Sequence, residues 1–334
     1  MGQRMASGMA LYWILVSVGM LLSGLLFVSL SRRRGFSAIL SAGGWILGLV
    51  LALFCARAVY ICFYFPALAQ YGAAKWIRFL PREFSFVAGG IGLCLGPALL
   101  GLKHRKTLPP LLDCLAVPGC LLAAFLRFAE IELGQIALAD VRALGLPDIT
   151  DGSLLARWPF AAQDAWGDWY LAVSTVAAAA AFLIGLGTFL RLRHFSRYPA
   201  GMIFRRCAFL LCAVRFFLEL TRMECLIFYF VHLDQALCAL VMLALFIFAC
   251  VEIKKAGKPF PLLSLLLFLL CMALNGVTQY AMDKPWKFQA LFSESGFRWL
   301  NDNLSWFSFS LLLLTTVCMT FLYLRLLRGA KAAV

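Results

Sequence analysis

The chain has 334 residues, of which 63% are apolar and only 14% charged, with a formal net charge of +14 and a mean hydropathy of +0.89. A soluble domain of this size carries nearer a quarter charged residues, so the composition excludes a water-soluble fold. Nor does the positive balance point to nucleic acid, because the basic residues cluster in short stretches between apolar runs, as they do in cytoplasmic loops.

Apolar runs of membrane-spanning length recur along the chain and predict an all-α, polytopic helical membrane protein. Nine spans fit, at roughly 10–30, 37–65, 84–102, 110–129, 167–190, 203–223, 231–253, 261–281 and 304–325. The first run, Ala10–Leu30, precedes Ser31-Arg32-Arg33-Arg34 and lacks a small-x-small cleavage site. It reads as a retained helix with its N-terminus outside. Gly44 and Gly48 in the second span, and Gly92 and Gly96 in the third, have the Gly-x-x-x-Gly spacing of close helix contacts.

Four arginines sit inside or at the rim of these helices. An arginine at a bilayer centre costs about 2.5–3.5 kcal/mol on insertion scales, so such residues mark pockets or anion sites. The second span carries Arg57, Tyr60 and Tyr64 at i, i+3 and i+7, on one face. A cation bordered by phenols suits a phosphate or glycerol head group; the same residues also serve as interfacial anchors. At the end of the fourth span, Arg127 and Glu130 share a face, either as part of a site or as a snorkelling arginine with a solvated acid. In the sixth span Arg215, Glu219 and Arg222 lie at i, i+4 and i+7. Two cations flanking one carboxylate form either an interhelical ion network or a site with one charge left for an anion.

Between the fourth and fifth spans, residues 130–166 carry six acidic residues and two prolines and are expected to form a small extracytoplasmic cap. The fifth span contains the helix-compatible run Ala177–Ala181, and the 282–303 loop is aromatic enough for an interfacial segment. Arg32–Arg34, Lys103–Lys106, Arg191–Arg206, Lys254 to Lys258 and Arg325–Lys331 fall on one side and hold more than half of the 30 basic residues. That side is expected to be cytoplasmic, leaving the N-terminus outside and the C-terminus inside. No inverted or tandem repeat is present, which argues against a transporter. The twelve cysteines form no Cys-x-x-Cys pair and read as small apolar packing, so neither metal nor cofactor is expected.

Depth links the arginines. At about 1.5 Å per residue, Arg57 lies roughly 28 Å from Ala38, Arg127 roughly 26 Å from Pro110 and Arg222 roughly 24 Å from Arg206. In a hydrocarbon core about 30 Å thick, all three reach the outer third. A shared anionic pocket is expected.

At these residues the chain resembles the prolipoprotein diacylglyceryl transferases, membrane enzymes that move a diacylglyceryl group from phosphatidylglycerol to the lipobox cysteine of a preprolipoprotein. Ala56-Arg57-x-x-Tyr60-x-x-Phe63-Tyr64 is similar to the family's G-A/G-R-x-x-Y-x-x-F-Y. Arg215-Phe216-x-x-Glu219-x-x-Arg222 is similar to its R-F-x-x-E-x-x-R, and Gln235 stands where the next helix has S-M-G-Q. Asp113 and Pro118 precede Arg127 as a D-x-x-A-P stretch precedes the family signature, and Arg157-Trp158-Pro159 resembles its R-H-P. Ser85 to Gly90 resembles S-F-H-G-G without the histidine, and Glu130 replaces the signature asparagine. The likeness covers residues 10–254, so a seven-helix transferase-like core over 1–254 and a two-helix extension over 255–334 are expected.

The resemblance implies a bacterial plasma-membrane protein, multi-pass and monomeric, whose partners are phosphatidylglycerol or another anionic phospholipid and a preprolipoprotein signal peptide. It implies Arg127, Glu130, Arg215, Glu219 and Arg222 as catalytic residues, with Glu130 as the candidate base. Arg57, Tyr60, Tyr64, Gly89, Gly90, Arg157 and Gln235 are implied as substrate-binding. The alternative is a protein that binds phospholipid or signal peptide on the same scaffold without reacting it.

Overall fold

A computed structural model of the chain describes residues 2–70, 83–101, 108–132, 138–139, 149, 153, 156–163, 168–193, 198–221, 227–228, 231–287 and 293–331. Nine α-helices run through the described residues: α1 Gly2–Arg32, α2 Ala38–Gln70, α3 Phe86–Gly101, α4 Leu108–Ala129, α5 Val173–Leu192, α6 Met202–Glu219, α7 Leu233–Lys255, α8 Leu262–Asp283 and α9 Glu294–Lys331. Each overlaps one of the nine spans read from hydropathy. Seven described helices contain a stretch long and apolar enough to cross a membrane. The two others are α3, apolar but only 16 residues long, and α6, which carries Arg205, Arg206, Arg215 and Glu219. Large apolar side chains such as Leu21, Leu25, Phe54, Leu263 and Phe321 are exposed along these helices. Patches of that extent face lipid in a protein of this composition. The chain is a helical multi-pass membrane protein.

Short strands accompany the helices. β1 Leu138–Ala139, β2 Ala161–Gln163 and β3 Trp169–Ala172 form an antiparallel sheet in the order β1-β3-β2, with Leu138 opposite Ala172 and Ala161 opposite Leu171. β4 Ile227–Phe228 and β5 Val231–His232 form a two-stranded ribbon. The described elements correct two expected boundaries. The fifth span, placed from residue 167, begins only at Val173, because Trp169–Ala172 is strand. An apolar run rich in aromatic residues does not by hydropathy alone tell helix from strand. The sixth, placed through residue 223, is helical only to Glu219. There the Thr221 N–H and hydroxyl both donate to the Leu218 carbonyl, at 3.1 and 2.7 Å, a local bond that competes with the helical ladder.

Contacts divide the chain into two compact units. One comprises Met1–Ile136, Ser174–Leu211 and Glu224–Leu226; the other comprises Ala137–Val173, Cys212–Met223 and Ile227–Val334. Contacts group α7 with α8 and α9, whereas the sequence-based division placed it with the first six helices.

In the first unit α1 packs on α2 and α4, and α3 on α2 and α4. The expected glycine contact is present. A Cβ on Gly96 would overlap the Gly48 backbone, and one on Gly48 would lie 2.7 Å from the Leu93 carbonyl oxygen. Past the end of α1, Gly35 has a φ of +82° and lets the Gly35 and Phe36 amides turn back onto the Arg32 and Ser31 carbonyls. Asp113 of α4 starts α6 from a distance: its carboxylate accepts the Gly201 and Phe204 backbone N–H groups, each at 2.7 Å. Those amides are the orphan donors of a helix N-terminus, which a carboxylate satisfies well. Phe27, Trp45, Leu115, Cys120 and Cys207 belong to this unit's core.

In the second unit α7, α8 and α9 pack together around Phe246, which stacks on Phe268 at 4.3 Å and meets Tyr323 at 6.3 Å. Polar groups join the same helices. Gln279 of α8 donates to Gln235 of α7, and Thr315 of α9 donates to Asn275 of α8 at 2.5 Å.

Candidate functional site

In the first unit, the segment at residues 83–86, which leads into α3, holds two buried arginines from two other helices. Ser85 sets it. The Ser85 hydroxyl accepts the Ala88 N–H at 3.2 Å, an N-cap of α3, while the Ser85 N–H donates to the Ala56 carbonyl at 3.1 Å. The second bond pins the segment beside Arg57, the next residue along α2. Glu83 then pairs with Arg57 at 2.6 Å, and the Glu83 carbonyl accepts from the same nitrogen at 3.4 Å. The Arg57 guanidinium lies 4.8 Å from the Tyr60 ring and 5.6 Å from that of Phe84, and Tyr64 stacks on Tyr60 at 4.9 Å. Phe86 lies 3.8 Å under the Arg127 guanidinium. One Arg127 nitrogen donates to both Glu130 oxygens, at 2.5 and 2.7 Å. Arg57 is 8% exposed and Arg127 3%; each therefore depends on its carboxylate and rings for what water would otherwise supply.

Around this pair, Tyr12 and Val16 of α1 are buried with Ala129 next to Glu130. Gly89 lies against α2, where a Cβ would meet Ala56 and Ala52 at ordinary contact distance, whereas a Cβ on Gly90 would meet nothing.

The second unit holds a separate ion cluster. Arg215 pairs with Glu219 at 2.6 Å and with Asp234 of α7 at 3.1 Å, and all three are buried. Beside it the His232 Nδ1–H donates to the Glu219 carbonyl at 2.8 Å. A carbonyl only accepts, so that bond keeps a proton on Nδ1. Gln235, in the first turn of α7, is engaged by Gln279. Arg157 is exposed in the turn before β2, where its carbonyl accepts the Phe160 and Ala161 amides. Arg222 lies outside the described residues, as does most of the expected cap. Of the predicted site residues, then, the structure gathers Arg57, Tyr60, Tyr64, Arg127 and Glu130 around the segment at residues 83–86. It gathers Arg215 and Glu219 in the second cluster.

Sequence reasoning missed Glu83, Asp234 and His232. For the first two the available signal was charge economy, since a buried arginine demands a carboxylate. Among the described residues no three His, Cys, Asp or Glu side chains are grouped as a metal would require. No family model matches the sequence, and neither curated proteins nor solved structures give a match.

Proposed function

We propose that the chain transfers a diacylglyceryl group from phosphatidylglycerol to the lipobox cysteine of a preprolipoprotein, as a divergent diacylglyceryl transferase of a bacterial plasma membrane. In this reading it spans the membrane nine times, with the N-terminus outside and the basic loops and C-terminus in the cytoplasm. The observation that carries it is the convergence of Arg57 and Arg127, from separate helices, on residues 83–86. Two guanidiniums in low-dielectric surroundings suit a phosphodiester head group.

The lipobox thiol loses its proton, its sulfur forms a C–S bond to the terminal glyceryl carbon, and the C–O bond to the phosphate breaks. Glycerol phosphate leaves with the displaced electron pair, and Arg127 stabilises the charge that develops on it. Arg57 with Tyr60 holds the head group. Glu130, held against Arg127, is the candidate for the base.

The test is thioether formation in vesicles containing phosphatidylglycerol and a lipobox peptide. Arg127→Gln should lower turnover by about 10²–10³-fold, the usual cost of losing one charge-stabilising donor. Glu130→Gln should abolish it; unchanged turnover removes Glu130 from the chemistry. A second reading, binding of phospholipid or signal peptide without reaction, is favoured by one observation. Arg57, Arg127 and Arg215 each have a carboxylate partner already, so an anion would compete with Glu83, Glu130 and Glu219. Saturable lipid and peptide binding with no thioether product would select this reading.

A further inference from the structure

A second feature of the first unit lies away from these arginines. α1 and α2 leave a groove of about 700 Å³, within the range of ligand sites. Its walls are Leu21, Leu25 and Val28 of α1 and Ile46 of α2, and its floor is the Trp45 indole against Gly24. A Cβ at Gly24 would lie 2.6 Å from the indole nitrogen, so the glycine lets Trp45 seat there. At the Arg32 end of α1 the lining turns polar, with Ser29, Arg32 and Arg33 and no acidic residue.

Arg32 and Arg33 are exposed and make no ion pair or side-chain hydrogen bond among the described residues. The next residue behaves differently: Arg34 donates to the Leu192 carbonyl at 3.2 Å. Two arginines at the mouth of a hydrocarbon groove are thus left facing whatever fills it. From Met20 to Arg32 the groove runs roughly 18 Å along the helix at about 1.5 Å per residue. One leaflet's share of the hydrocarbon core is about 15 Å.

We propose that this groove is a binding site for an anionic phospholipid of the leaflet on the Arg32 side, with an acyl chain along Leu25 and Trp45 and the phosphate on Arg32 and Arg33. The match is one of length and of charge. Hydrocarbon walls extend over a leaflet's depth, and a doubly positive mouth favours a lipid with net negative charge over a zwitterionic one. The inference goes beyond the transfer reaction and does not depend on it.

The protein is reconstituted in phosphatidylcholine vesicles doped with bromine-labelled chains on either phosphatidylglycerol or phosphatidylcholine. The Trp45 component of tryptophan quenching is taken as the difference between wild type and Trp45→Phe. Quenching should favour phosphatidylglycerol, and each charge removed in Arg32→Gln and Arg33→Gln should weaken that preference about fivefold. Arg32→Lys/Arg33→Lys should retain it, and Arg57→Gln should leave it untouched whatever happens to transfer. Equal quenching by the two lipids, or a preference that survives the double glutamine variant, overturns the proposal.

Because Trp45 packs on Gly24, a second readout avoids changing it. Leu25→Trp fills the groove from an exposed position, and should cut the phosphatidylglycerol retained in native mass spectrometry. Unchanged retention overturns the proposal, as does a wild-type dimer that dissociates in Leu25→Trp, which would give the groove to a second copy of the chain.

Discussion

Removing the Glu83 carboxylate should destabilise the first unit by about 3 kcal/mol. The Arg57 and Glu83 side chains are 10% and 15% exposed and 2.6 Å apart. Glu83→Ala therefore removes a close carboxylate from a largely desolvated guanidinium that lies beside the Tyr60 and Phe84 rings. Breaking a buried pair from one side costs about 3–5 kcal/mol, and the residual exposure of both partners places the value at the low end. Glu83→Gln keeps an acceptor for Arg57; a hydrogen bond to a charged group contributes about 1.5–3 kcal/mol, so the loss should shrink to about 1 kcal/mol. Arg57→Gln combined with Glu83→Gln leaves no lone charge and should be more stable than Glu83→Ala. Unfolding by SDS in mixed micelles, followed by aromatic fluorescence, gives all three values and their coupling. A Glu83→Ala loss below about 1 kcal/mol, or strict additivity in the double variant, would refute the claim that Arg57 depends on this carboxylate.

Three further outcomes are expected. Gly96→Ala forces a methyl into the Gly48 backbone and should cost about 1–3 kcal/mol or more, whereas Gly90→Ala, with open space around it, should be nearly silent in the same unfolding assay. Asp113→Ala strands two backbone N–H groups at the start of α6 and should cost about 2–4 kcal/mol. Hydrogen exchange at Gly201 and Phe204 should accelerate, with Asp113→Asn intermediate. Because Arg215 has two carboxylate partners, Glu219→Gln and Asp234→Asn should each cost about 1–2 kcal/mol, while the pair together costs about 3–5 kcal/mol. A double-mutant cycle measures that excess.

The helices were legible because lipid makes hydropathy the dominant signal, and the Gly44/Gly48 and Gly92/Gly96 spacings gave the α2–α3 contact directly. Within a helix, pairs could be read from spacing: Arg127 with Glu130, and Arg215 with Glu219, are three and four residues apart. Pairs between elements could not. Glu83 lies 26 residues from Arg57 and Asp234 lies 19 from Arg215, and no periodicity connects them. The expected partner of Glu219, Arg222, lies outside the described residues; what hydropathy could not show is that α6 ends at Glu219, where the Thr221 hydroxyl takes the Leu218 carbonyl. Strands of two to four residues, such as β1 and β3, are too short for alternation to register.

The bond between Asp113 and the start of α6 has a consequence for biogenesis. Gly201 follows Asp113 by 88 residues; at about 5–20 residues per second of synthesis, α4 reaches the translocon roughly 4–18 seconds before those amides exist. For that interval an acidic group bound for the interior lacks the two amides that hold it in the folded chain. The final seat of Asp113 against those two amides can form only once α6 arrives.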